Sequence, residues 1–195
     1  MVYKDTVYLY TGHDEDKSTV FVMKDWRCFT STDMVNRTDR GSPLSVKTFS
    51  WAKQDAWAMG KATFQGPSQL NPLNPFVIQQ AETAGTSGQV QFEAVGDVGN
   101  MVAKGKADKQ CLMVRGADFS KQVPAKFEAR VKGKGKIDVY VNNLKGTALV
   151  SLICDGKEWT TLSKKIERKI DKGVGNIYFV FNGEGLLFDE WKFIY

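Results

Sequence analysis

The stretch KIDVYVNN, residues 136–143, decides the fold. Ile137, Val139 and Val141 fall on one side of an extended chain, and Asp138, Tyr140 and Asn142 on the other. That two-residue period belongs to a strand with one face buried. Just upstream, AKFEARV (125–131) repeats it with Phe127, Ala129 and Val131. Further stretches recur on both sides at short spacing: FVIQQAETA (76–84), QCLMVRG (110–116), TALVSLICD (147–155), WTTLSKKIE (159–167), NIYFVFNG (176–183) and LLFDEWKFIY (186–195). Each is bounded by Gly, Asn, Asp or Lys, the punctuation of antiparallel strands. Roughly eight strands in about 120 residues predict an all-β protein whose main body is a β-sandwich of jelly-roll type.

The N-terminal third is less regular. VYLYT (7–11) and STVFVM (18–23) suggest strands around the polar turn GHDEDK, and WRCFTSTDMVNRTDRG (26–41) a further strand followed by a turn. Residues 42–60 show no clean period. GPSQLNPLNP (66–75) has the Pro, Asn, Gly and Ser content of a linker. The expected organisation is therefore a β segment over 1–66, a linker over 67–75 and the sandwich over 76–195.

Composition excludes several functions. The chain of 195 residues has a formal charge of +5, but its densest basic stretches, KGKADK, KGKGK and KKIERKIDK, contain no aromatic residue. A nucleic-acid groove interleaves the two, so no nucleic acid is expected and the lysines read as solvated strand ends. No apolar run approaches the roughly 18 residues of a membrane span, and MVYKDTVYLY does not read as a secretory signal. No membrane association is expected, and the chain is expected to be a monomer. Cys28, Cys111 and Cys154 lack metal-ligand spacing and read as free thiols. The single histidine, His13, sits in what reads as a strand-end turn, a poor basis for a nucleophile–histidine mechanism or a zinc site.

Four motifs, in order, resemble carbohydrate-binding module family 6. GVGNIYFVFNGEGLLFDEWKFIY (173–195) resembles that family's ending: a strand of the type DLYLVFKG, a glycine-rich turn and a segment of the type FNFDWWKF. IQQAETA (78–84) resembles its opening strand, VRGADFS (114–120) its V-x-G-V-D-F stretch, and AKFEARVKGKGKIDVYVNN (125–143) the strand pair that follows. Separately, VYLYTGHDED, FSWAKQDAWA and above all TSTDMVNRTDRG (30–41) resemble the first blade of the five-bladed propeller of glycoside hydrolase family 43, where SSTDMVNWTDHG recurs. Such propellers are often followed by a family 6 module. The match places the propeller's general base just before Val2 and its general acid in a later blade, and implies an internal deletion near Met59. Asp14, Glu15 and Asp16 read as a solvated turn, and Asp55 as a pocket residue without a partner. Catalysis needs two carboxylates, so no hydrolysis is expected.

The resemblance implies a partner, plant cell-wall polysaccharide of the xylan or arabinoxylan class, and a secreted or periplasmic parent protein. Two readings stay open beside it: a family 43 arabinofuranosidase or xylosidase, and a degenerate module without ligand. In the family, sugars stack on a Tyr or Trp before V-x-G-V-D-F and on a Trp in a loop of the type GGWQNW, and bond an Asn in FNFDW. Carried over, these positions fall at or next to Cys111, near Gly156 and at Leu187, all departures. Trp159, Asn182 and Glu184 are the nearest substitutes. Tyr140, Asn142 and Tyr178 are candidates for binding on the sheet face. The resemblance also implies a structural Ca²⁺ tying the first strand to the last, with Gln80, Glu82 and Asp189 as ligands. Phe188, Trp191 and Phe193 would then fill the core.

Overall fold

The structure, a computed structural model, describes residues 2–14, 23–41, 69–96 and 100–195. Every element among them is a strand. In chain order they are β1 (Val2–Tyr3), β2 (Thr6–Asp14), β3 (Met23–Ser31), β4 (Arg37–Asp39), β5 (Gln79–Gln80), β6 (Thr83–Ala84), β7 (Gln91–Ala94), β8 (Met101–Gly105), β9 (Gln110–Asp118), β10 (Lys126–Val141), β11 (Val150–Lys165), β12 (Val174–Asn182) and β13 (Leu186–Ile194).

The sandwich is a single antiparallel sheet curled on itself, in the order β7-β8-β13-β10-β12-β9, with β11 along β10 and β5 on β13. The sixteen-residue β10 is its spine. Residues 126–132 pair with β13 and residues 136–141 with β12. Between the two halves Gly133 has φ +105°, and a Cβ there would lie 2.5 Å from the Gly185 carbonyl oxygen. Only glycine allows that bend and that approach. The halves then face each other across an aromatic core. Trp191 lies 5.1 Å from Phe179 and 6.4 Å from Phe127 between ring centroids, and Phe179 lies 5.1 Å from Phe188. Phe188, Trp191 and Phe193 are all buried, as expected.

Residues 188, 191 and 193 cannot all point inward in a regular strand. β13 solves this with a bulge: Val131 pairs with Phe188 and Arg130 with Glu190, leaving Asp189 as the extra residue. Such a bulge re-aims a side chain, and here it buries Asp189 to 2 % exposure.

The N-terminal strands form a second sheet, β1-β2-β3-β4-β6. Its last member comes from the sandwich side: Thr83 and Ala84 pair with Thr38 and Arg37. The edge of β4 is thereby covered, as an open edge requires. His13 lies within β2, paired with Asp25 of β3, its Nδ1 2.8 Å from Asp25 Oδ1, rather than in a turn. STVFVM apart from Met23, the acidic turn Glu15–Asp16, Asp55 and the region around Met59 lie outside the described residues.

Candidate functional site

At the bend of β10 the curled sheet opens a cavity of about 430 Å³. Gly156 and Leu187, thirty-one residues apart in sequence, meet in its wall. Gly156 comes from β11, opposite Gly133, and Leu187 from β13, opposite Lys132. No steric demand makes residue 156 glycine: a Cβ there would have only an ordinary contact, 3.6 Å from the Glu158 carbonyl. The small residue leaves the cavity open. Three lysines and Asp155 complete the polar part of the lining.

Cys111 lies elsewhere, on β9 beside Val180 of β12, where burial pushes its thiol upward. Trp159 is half-buried, with the Arg130 guanidinium 4.8 Å over its ring, an attractive stack that occupies a face a sugar would need. Asn182 donates to Asp138 Oδ2 at 2.9 Å, in a network with Lys136 and Ser151. Glu184 is exposed in the turn between β12 and β13. Tyr140 and Tyr178 are register partners on the sheet face. Asn142 follows the end of β10 with φ +69°, its Oδ1 packed against Gly175. The expected residues are thus spread over three places, and none of the six lines the cavity.

The expected cation ligands separate as well. Glu82, in the turn between β5 and β6, is 1 % exposed, and its Oε2 has no hydrogen-bond partner. Desolvation pushes its carboxyl up to about 8, with the nearby Asp189 and Asp39 charges adding to the rise and Arg40 opposing it. Burial also raises Asp189, against the lowering effect of Arg130, whose Nη1 donates to Asp189 Oδ2. The Asp189 carbonyl accepts from Ala81 N–H at 2.7 Å, which fixes the two segments side by side. Gln80 turns the other way, donating to Glu190 at 3.2 Å. Among the described residues no three His, Cys, Asp or Glu side chains form a metal-holding group. A partnerless buried carboxylate oxygen beside a second buried carboxylate nevertheless suits a hard cation whose other ligands are backbone carbonyls.

No family model matches the chain. An arabinoxylan arabinofuranohydrolase of Bacillus subtilis (strain 168) is 28% identical over 144 residues, 68% of this chain and 28% of the relative. The chain therefore spans little more than a quarter of that curated relative's length. A solved family 43 arabinoxylan arabinofuranohydrolase from Bacillus subtilis, in complex with cellotetraose, superposes with a TM-score of 0.60 at 20% identity, over 99% of this chain and 52% of that one. A β-1,3-glucan-binding family 6 module from Bacillus halodurans superposes with a TM-score of 0.57 at 20% identity, covering 64% of this chain and all of the module. The curled sandwich has the family 6 carbohydrate-binding module fold. The sequence resemblances to family 6 modules and to family 43 enzymes are therefore both met. Within the family 6 fold, the cavity lies where the resemblance puts two of the three sugar-contacting positions, Gly156 and Leu187.

Two features escaped the sequence. The lysines of the cavity belong to β10 and β11, and the pairing register of these two strands brings them together. Asn36, read as part of a propeller phrase, is a clamp onto the sandwich: its Oδ1 accepts from Arg115 N–H and its Nδ2 donates to the Arg115 carbonyl, both at 2.9 Å. The turn-capping Asp before it marks a turn, and nothing local marks the distant partner.

Proposed function

We propose that the chain binds plant cell-wall polysaccharide of the xylan or arabinoxylan class, at the cavity bordered by Gly156 and Leu187, and does not hydrolyse it. The observation that carries the reading is this cavity's place in a family 6 fold. Its lining supports binding over cleavage: glycoside hydrolysis uses two carboxylates about 5–9.5 Å apart, and Asp155 is the single carboxylate here. In gels containing xylan or arabinoxylan the protein is expected to be retarded, and Gly156→Trp, which restores a stacking ring without a backbone clash, to be retarded more. Arabinose or xylose release from aryl glycosides is expected to equal the blank. Unchanged mobility in every glycan would favour the ligand-free module, a reading given weight by the loss of the aromatics at 111 and 156 and of the amide at 187. Release above blank would favour the hydrolase.

We propose also a structural calcium ion held by Glu82 and Asp189, with backbone carbonyls completing the oxygen set. Bound there, it supplies fixed positive charge between the start and the end of the sandwich. Glu82 offers it an unpaired oxygen, while the bulge presents Asp189. The Gln80 side chain stays with Glu190. A wall polysaccharide lies outside the cytoplasm, so the parent protein is proposed to be secreted or periplasmic.

A further inference from the structure

We infer that the cavity selects an acidic glycan, with Lys132, Lys134 and Lys157 holding the carboxylate of a uronic acid unit. This deepens the binding reading above and rests on it. The three lysines line one cavity and have no ion-pair partner among the described residues. Three other lysines carry ion pairs: Lys104 with Glu93 at 2.8 Å, Lys136 with Asp138 at 2.8 Å and Lys192 with Glu128 at 3.1 Å. Unpaired cations gathered around a concave site raise the local concentration of an anion. Asp155 offsets one of the three charges, leaving an excess of two, and it can accept from sugar hydroxyls.

The convergence is tertiary. Lys132 and Lys134 flank the bend of β10, and Lys157 lies in the irregular part of β11 beyond Gly156. Leu187 stands between Lys104 and Lys132 in a cross-strand row. That leaves an apolar shelf of leucine and glycine backbone where the family resemblance implies a Trp ring, at Gly156, and an Asn amide, at Leu187. A neutral pyranose loses its stacking partner on such a shelf, whereas a uronate gains charge-assisted hydrogen bonds from three directions. Nucleic acid is disfavoured because no aromatic side chain lines the cavity to stack a base.

The test is affinity electrophoresis in gels of xylan bearing uronic acid side groups, against the same xylan with its carboxyls reduced to alcohols. Retardation is expected to be greater in the acidic polymer and to weaken from 20 to 200 mM NaCl. The triple variant K132A/K134A/K157A should bind the acidic polymer about tenfold more weakly with an unchanged melting temperature, as three partly exposed charge pairs predict. K121A/K169A/K172A, with the same loss of charge at exposed sites off the cavity, should match the parent chain. Equal retardation in native and reduced xylan would overturn the inference and leave the binding reading standing. No retardation in either would overturn both. Equal retardation by poly-L-glutamate or single-stranded DNA, or equal weakening in the control triple variant, would mean general polyanion attraction and overturn the inference alone.

Discussion

Removing calcium with EDTA is expected to lower the melting temperature by about 10 °C. An ion present at about a thousand times its dissociation constant stabilises the native state by roughly 4 kcal/mol, and a chain of this size shifts about 2–4 °C per kcal/mol. The expected loss is large because chelation leaves Glu82 buried with an oxygen that nothing satisfies. The pH dependence follows with a definite sign. In the metal-free protein the Glu82 carboxyl is raised from 4.5 to about 8 by desolvation, so the folded state holds a proton that the unfolded chain releases. Its stability is therefore highest below about pH 4.5 and falls up to about pH 8, by at most roughly 1.4 kcal/mol per unit. Asp189, also raised by burial, acts in the same direction. In the proposed site calcium would take the place of the proton, so the melting-temperature gain on adding it should grow from pH 5 to pH 8. Glu82→Gln should lose the calcium response and flatten the pH slope, leaving the part that Asp189 contributes. Superimposable melts with and without EDTA at pH 8 would remove the ion.

Asp33→Ala is expected to cost roughly 3 kcal/mol, on the order of 8 °C, and to free the N-terminal sheet for proteolysis. Asp33 is 6 % exposed, and its carboxylate collects five donors. Oδ1 accepts from Ser31 Oγ at 3.2 Å, Val35 N–H at 2.9 Å and Asn36 N–H at 2.8 Å. Oδ2 accepts from Asn36 Nδ2 at 2.7 Å and Gln69 Nε2 at 3.1 Å. Removing the carboxylate strands several of these donors and releases the Asn36 amide that bonds both sides of Arg115. The β4–β6 pairing, the Thr38–Thr83 hydroxyl bond and the Leu70 N–H bond to the residue 33 carbonyl then remain to hold the N-terminal sheet. Limited trypsin digestion should cut within residues 2–41 of the variant well before the sandwich, while glycan retention persists. Equal melting and equal cleavage patterns in variant and parent would show that the clamp is dispensable.

The TSTDMVN segment shows what local sequence carries. Asp33 followed by Asn36 is a turn-capping pattern, legible because side-chain-to-backbone hydrogen bonds span only a few residues. That Asn36 should then grip Arg115, seventy-nine residues away, has no local signature. The ending GEGLLFDEWKFIY divides in the same way. The inward spacing of Phe188, Trp191 and Phe193 already requires a break in alternation, so the bulge was latent in the residues. The partner it gives Asp189, the Arg130 guanidinium, follows from the pairing register of β10 and β13.

Alternation and turn chemistry were enough to specify an all-β sandwich and its buried face, because burying one side of a strand demands a period of two wherever the strand lies. The meeting of Lys132, Lys134 and Lys157 with Gly156 and Leu187 was settled by the bend at Gly133 and the register across β10, β11 and β13. Those long-range pairings bring residues together according to where the chain returns, and no single strand encodes that.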